Sequence, residues 1–321
     1  MTINILTILL SFVTLIWSAN HLLKGALGLG DYYKFSPLLT GFTLVALGTS
    51  APEIIIAINA SLAGLNDIAI GNAIGTNIAN IGLVLGCAAI VKPLRIQPNL
   101  LRREYPLLFL AMLFTYSLMI DGYIGVIDSC LFLIACLGFI AYVVYRAKHA
   151  FLITKISHHM QHQVLIKISF KRHLTCFLIG MILLPLSAYV LVQHAAQLAG
   201  QLGVSNLVVA LTIIAIGSSL PELTTSLIAI KKGADDIAIG NILGANILNL
   251  LAVLVVPGAI HPALISHALL WRDLPFMLFA TLILLWFNYH NRNQRLERWH
   301  GTILLTIYAC YIISIVISSF L

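Results

Sequence analysis

The chain has 321 residues, 60% of them hydrophobic and only 9% charged, with mean hydropathy +1.00. A soluble domain of this length could not hide so much apolar side chain, whereas a bundle whose outer face meets lipid can. The formal charge of +7 could suggest nucleic-acid binding, but the way the charges are distributed excludes that reading.

Ten apolar stretches follow one another at residues 2–23, 37–63, 67–91, 104–120, 123–145, 173–199, 204–230, 235–258, 269–288 and 300–320. A helix crossing the hydrocarbon core needs about 20 apolar residues. The stretches lack strand alternation and are joined by short polar turns, which favours helices over a β-barrel. Residues 1–23 carry neither a positive leading region nor a small-residue cleavage site, so they read as a retained first helix. With the N-terminus outside, seventeen of the eighteen Lys and Arg residues fall in the five inner connections, and Arg272 alone falls outside. That asymmetry orients the chain in a cell (inner) membrane with a periplasmic N-terminus and assigns the basic residues to setting topology. The longest polar stretch, 146–172, holds His149, His158, His159 and His162 and reads as a solvated cytoplasmic linker. The five cysteines fall within predicted spans without a C-x-x-C pair, and read as small core residues.

Residues 43–80 repeat at 212–249 with a constant offset of 169 and no gap, and 18 of 38 positions are identical. Apolar bias could match Ile and Ala by chance. It does not bring Pro52/Pro221, Glu53/Glu222, Asp67/Asp236, Asn72/Asn241, Asn77/Asn246 and Asn80/Asn249 into register. Five predicted helices separate equivalent points, and an odd number reverses direction across the membrane. The expected fold is therefore all-α and integral to the membrane. It has ten transmembrane helices in two inverted-topology five-helix repeats, 1–145 and 173–321, joined by the 146–172 linker, with helices 2 and 7 broken.

The break carries the chemistry. Pro52 has no N–H, so the carbonyl of Gly48 loses its helical partner, and Gly48 loosens the turn further. Freed carbonyls at membrane depth persist where they line a cavity or bind something. The Thr49 and Ser50 hydroxyls and the Glu53 carboxylate stand beside them, and Ser218, Ser219 and Glu222 repeat the construction. Carbonyl, hydroxyl and carboxylate oxygens together suit a hard cation such as Ca²⁺ or Na⁺. An ionisable group at the centre of a spanning helix costs about 2.5–3.5 kcal/mol on the insertion scale, so two at equivalent positions beside broken helices point to function. Two ionised glutamates carry −2, which one Ca²⁺ or two Na⁺ neutralise, and this favours exchange of one cation for another. Asn72, Thr76 and Asn80 share a face of the next helix, as do Asn241, Ala245 and Asn249. Asn80 and Asn249 are candidates to touch the ion or tune a ligand. Asn72, Asn77, Asn241 and Asn246 are assigned to holding backbone or neighbouring helices, and Asp67 and Asp236 to capping helix starts.

At these residues the chain resembles the cation/calcium exchanger superfamily, most of all its prokaryotic sodium/calcium antiporters. The likeness rests on Gly48-Thr49-Ser50-Ala51-Pro52-Glu53, on Gly217-Ser218-Ser219-Leu220-Pro221-Glu222, and on the paired Gly-Asn-x-x-Gly-x-Asn of 71–77 and 240–246. It spans essentially the whole chain. The resemblance implies that Glu53 and Glu222 are the central Ca²⁺ and Na⁺ ligands. It also implies that Thr49, Ser50, Ser218 and Ser219 join them, with the carbonyls of Ala46 and Ala215 and the side chains of Thr76, Asn80 and Asn249. Ala245 departs from a common family serine and removes one hydroxyl. Asn249 stands where some relatives, including potassium-dependent exchangers, have aspartate, which argues against potassium dependence.

The same glutamates permit a Ca²⁺/H⁺ exchanger. A channel does not need inverted ligand sets. For an intramembrane protease, neither an Asp pair nor a Ser–His dyad is evident on adjacent spans. The chain is therefore expected to be no enzyme, to use no cofactor, and to take Ca²⁺, Na⁺ and, in the rival reading, H⁺ as transported ions. The partner implied is the lipid bilayer, with no nucleic acid. The sequence sets no oligomeric state and is compatible with a monomer, and its size suits a minimal prokaryotic form.

Overall fold

The computed structural model of the protein describes residues 2–96, 103–157, 170–202, 215–290 and 295–320. In chain order its helical stretches are α1 (Thr2–Tyr32), α2 (Pro37–Leu62), α3 (Asn66–Val91), α4 (Tyr105–Met119), α5 (Val126–Ser157) and α6 (Phe170–Gln201). They continue as α7 (Leu220–Lys231, with the short turn Ala215–Gly217 before it), α8 (Asp235–Ile260), α9 (Leu269–His290) and α10 (Arg298–Phe320). Among the described residues, 8 helices are long and apolar enough to cross a membrane. The exceptions are α4, with 15 residues, and α7, whose expected beginning at 204–214 lies outside the described residues.

Helix α5 runs on past its apolar span to Ser157, so the first part of the 146–172 stretch is helical; no Pro or Gly in 147–157 stops the helix. His158, His159 and His162 lie outside the described residues. Of the cysteines only Cys136 is buried, while Cys130 and Cys310 are exposed on the outside of the bundle.

Helices α3 and α8 form the centre: 72% and 78% of their apolar windows are buried inside the protein, against 22% for α10. Large apolar side chains such as Leu6, Val13, Ile134, Ile182 and Ile313 point outward, as lipid-facing helices require. Equivalent helices of the two halves meet in opposite chain order. Along α1 and α6, Gly25 faces the Phe177 backbone, Gly180 faces that of Leu22, and the rings of Tyr32 and Phe170 lie 5.0 Å apart. Asn4, near the other end of α1, bonds His194 at 3.1 Å. These contacts make α1 and α6 antiparallel. Helices α3 and α8 are antiparallel as well, with Asn66 bonded to the His261 carbonyl at one end and Lys92 paired with Asp235 at 2.8 Å at the other. The two ties are counterparts of each other, because the 169-residue offset makes 66 equivalent to 235 and 92 equivalent to 261. The Thr281 hydroxyl of α9 donates to the Met277 carbonyl at 2.9 Å and lies 3.1 Å from the sulfur of its own counterpart, Met112 of α4.

The connections repeat this pattern. β1 (Leu94–Arg95) pairs antiparallel with β4 (Arg295–Leu296), and β2 (Tyr123–Ile124) with β3 (Ala263–Leu264). Each ribbon thus joins the end of α3 or α8 to a connection of the other half. The turns into α3 and α8 are the same turn made twice. Gly64 and Gly233 adopt φ +72° and +76°, a left-handed conformation costly for other residues. The next N–H reaches back to the helix, Leu65 to the Ala60 carbonyl at 2.8 Å and Ala234 to that of Ala229 at 2.9 Å, closing a Schellman turn. This turn ends at Leu65 and Ala234, which occupy the cap positions of α3 and α8 without side-chain capping bonds. Asp67 and Asp236 are therefore not caps. They sit inside the first turn, where the helix dipole favours an acid, and Asp67 accepts from the Ser266 N–H at 3.3 Å.

Candidate functional site

The break expected in α2 falls on Ser50, at φ −86° and ψ 2°, and the break in α7 on Ser219, at φ −93° and ψ 4°. Beyond each break a new helix starts, with Pro52 or Pro221 in its first turn, where a missing N–H costs nothing. Glu53 and Glu222 occupy the same first turns. The break therefore presents the positive end of a half-helix to each carboxylate, and both side chains are fully buried.

The two halves meet at this point. Glu222 lies close enough to Glu53 for their charges to interact, and it lies beside Thr49. The helix of Glu222 packs on the turn Asn80–Val84, and the helix of Glu53 packs on the turn Asn249–Val253. These two turns are π-helical and equivalent, each beginning on a candidate asparagine. Single π-turns within α-helices are frequent at functional sites; nothing in the sequence announces them.

Buried polar atoms are normally hydrogen-bonded, so exceptions need a reason. Among the described residues, nine buried oxygens of the candidate set find no hydrogen-bond partner in the protein. They belong to Ser50, Thr76, Asn80, Ser219, Asn249 and both oxygens of Glu53 and of Glu222. A Ca²⁺ ion takes about 6–8 oxygens, so the supply is sufficient. Thr49 is buried too, and its hydroxyl donates to Asn241 Oδ1 at 3.1 Å. The Ala46 carbonyl accepts from the Ser50 N–H at 2.9 Å and faces the Thr49 hydroxyl at 3.3 Å, so it is already engaged within its own helix. Ser218 is half-buried beside Ser219, and Ala215 opens the turn that precedes α7.

Three further residues join the neighbourhood. Asn241 Nδ2 donates to Ser226 Oγ at 3.3 Å, and Asn80 Nδ2 to Asn246 Oδ1 at 2.9 Å. Thr225 is fully buried with an unpartnered hydroxyl. Thr225 and Ser226 follow Glu222 by three and four residues, so they share its face, and that spacing was the available signal. Their counterparts are Ile56 and Ala57. With Ala57 in place of a hydroxyl, Asn72 Nδ2 is left unpartnered. The asymmetry read at Thr76 and Ala245 is thus joined by a second one, in which the second half holds more oxygen.

Two ion pairs are built on acids at equivalent positions. Arg146 pairs with the buried Glu104 at 2.5 Å, and Arg272 with the buried Asp273 at 2.7 Å. Arg272, the one basic residue on the wrong side of the charge pattern, is held by a local acid and by Ser318. Among the described residues no three His, Cys, Asp or Glu side chains cluster as a soft-metal site would need.

Comparison with known proteins decides the family. The sodium/calcium exchanger protein family matches residues 3–147 and again 172–317, once in each half. The chain belongs to the sodium/calcium exchanger family. It is 39% identical over 312 residues to a putative antiporter, CaxA, of Alkalimonas amylolytica, covering 97% of this chain and 98% of the relative. It is 35% identical to the inner membrane protein YrbG of Escherichia coli over 86% of each chain. It is 27% identical to the sodium/calcium exchanger MaX1 of Methanosarcina acetivorans over 97% of this chain and 98% of that one. Among solved structures it resembles the sodium-calcium exchanger NCX_Mj soaked with Na⁺ and Ca²⁺, with TM-score 0.81 and 29% identity over 97% of this chain and 98% of that one. The exchanger is therefore a multi-pass membrane protein of a cation-transport family, as its apolar helices require.

Proposed function

We propose that this exchanger is a secondary active antiporter that moves Ca²⁺ against Na⁺ by alternating access, with the ions held between Glu53 and Glu222. The observation that carries this reading is the set of orphaned buried oxygens around two facing carboxylates, drawn from both halves. Two buried like charges repel and lose their hydration, so an empty ionised site is unstable. Cations supply the compensation. A site that is stable only when filled or neutralised exchanges ions rather than leaking them. Glu53, Glu222, Ser50, Ser219, Thr76, Asn80 and Asn249 offer oxygens directly. In this reading Thr49 and Ser218 complete the hydroxyl set, and the carbonyls of Ala46 and Ala215 join them.

The antiparallel pairing of α1 with α6 and of α3 with α8 supports two inverted repeats of five helices, giving ten spans related by a pseudo-two-fold axis in the membrane plane. Lys92 and Asp235 then share the cytoplasmic face, and Asn66 and His261 the outer one, with the N-terminus outside an inner membrane. Rocking of one set of helices against the other exposes the site to each side in turn. Protonation of the same carboxylates would give Ca²⁺/H⁺ exchange instead. Ca²⁺ uptake into inverted vesicles separates the two. Uptake driven by a Na⁺ gradient and untouched by a protonophore is expected; uptake driven only by a pH gradient overturns the sodium reading.

A further inference from the structure

Asn241 and Asn246 belong to α8, in the second half, yet each bonds a candidate ligand of the first half. Asn246 Oδ1 accepts from Asn80 Nδ2 at 2.9 Å, and Asn241 Oδ1 accepts from the Thr49 hydroxyl at 3.1 Å. All four residues are fully or almost fully buried. An amide presents a cation with either an attractive oxygen or a repulsive NH₂, depending on a 180° flip. With its NH₂ held by Asn246, Asn80 turns its oxygen away from that bond, and that oxygen is one of the orphaned atoms. A threonine hydroxyl has one proton. Asn241 Oδ1, at 3.1 Å, is a nearer acceptor than the Ala46 carbonyl, at 3.3 Å, and with the proton on Asn241 only lone pairs remain for an ion. Asn241 is itself braced, because its NH₂ donates to Ser226 at 3.3 Å.

We propose that Asn241 and Asn246 are positioning residues that act through Thr49 and Asn80 and fix which atoms the first half shows to the ion. This rests on the cation-site reading above. The equivalents of Asn246 and Asn80 are Asn77 and Asn249, and all four of their amide atoms are without hydrogen-bond partners. The Asn246–Asn80 bond is thus made while its counterpart is not, so of these two asparagines Asn80 is the pre-oriented one in this conformation.

Removing a group that orients a metal ligand typically lowers metal affinity by about 10–100-fold. The test is a pair of double-mutant cycles on the full-length protein in proteoliposomes, reading KM for Ca²⁺ and maximal rate separately. One cycle combines Asn246→Leu with Asn80→Leu, and the other Asn241→Leu with Thr49→Val. Asn246→Leu is expected to raise KM for Ca²⁺ about tenfold or more and to add little once Asn80→Leu is present; Asn241→Leu is expected to behave likewise with Thr49→Val. Unchanged KM, or losses that multiply in the double variants, overturns the proposal. If Asn246→Leu does not insert, Asn246→Ala removes the amide without bulk and enters the same cycle. Glu53→Gln run in parallel keeps the two claims apart. Full exchange in Glu53→Gln removes the site reading itself, whereas an inactive Glu53→Gln with multiplying asparagine losses removes only the positioning role.

Discussion

At Glu53 and Glu222 the chain places two carboxylates out of reach of solvent, each in the first turn of a helix that restarts after a serine break. The half-helix dipole offsets part of the desolvation, and in the proposed function bound cations supply the rest. Glu53→Gln and Glu222→Gln keep volume and remove charge. Na⁺-driven Ca²⁺ uptake is expected to fall at least about 100-fold in each, with membrane insertion intact by fluorescence-detected size exclusion. The imperfect symmetry is also testable. Ala245→Ser returns a hydroxyl opposite Thr76, and is expected to shift the Na⁺ concentration for half-maximal exchange while Ca²⁺ affinity is largely kept. Ala57→Ser gives Asn72 the partner that Ser226 gives Asn241. One restored neutral hydrogen bond is worth about 0.5–1.5 kcal/mol, so the thermal midpoint in detergent should rise; a fall would show that the added oxygen is not accommodated there.

Between the elements, close approach and turn geometry hold the candidate site together. Gly244 lies against the Phe42 carbonyl and Gly240 against that of Leu38, so α8 rests directly on the α2 backbone. Gly233→Ala forces a side chain into a left-handed turn and is expected to cost about 1–2 kcal/mol, read as a lower thermal midpoint. Lys92 is half-exposed, so its pair with Asp235 should contribute less than about 1 kcal/mol, and Lys92→Ala should leave stability nearly unchanged. The broken helices were legible in the sequence because Gly, Ser and Pro recur at a fixed offset with a local mechanism. The π-turns starting at Asn80 and Asn249 were not, since helix register there depends on tertiary packing. Nor were the bonds of Asn241 to Thr49 and of Asn246 to Asn80, which join residues 192 and 166 positions apart. Asp67 and Asp236 look like caps by residue type, but the Schellman turn at Gly64 and Gly233 closes before them.

Over the whole molecule, two halves run against each other through α1 with α6, α3 with α8, and α4 with α9. Antiparallel halves that bring Glu53 and Glu222 together suit a site reached from either side in turn. In the sequence the 169-residue offset carried the expectation of two opposed halves, and Arg272, the exception to the charge pattern, is paired with the acid beside it. The central claim is that Glu53 and Glu222 couple Ca²⁺ to Na⁺. The most direct measurement is radioactive Ca²⁺ uptake into proteoliposomes under an imposed Na⁺ gradient, with a protonophore present, for the wild type and for Glu53→Gln and Glu222→Gln. Uptake in the wild type that persists with the protonophore and collapses in both variants is the expected result. Uptake that follows only a pH gradient, or that survives in either variant, contradicts the account.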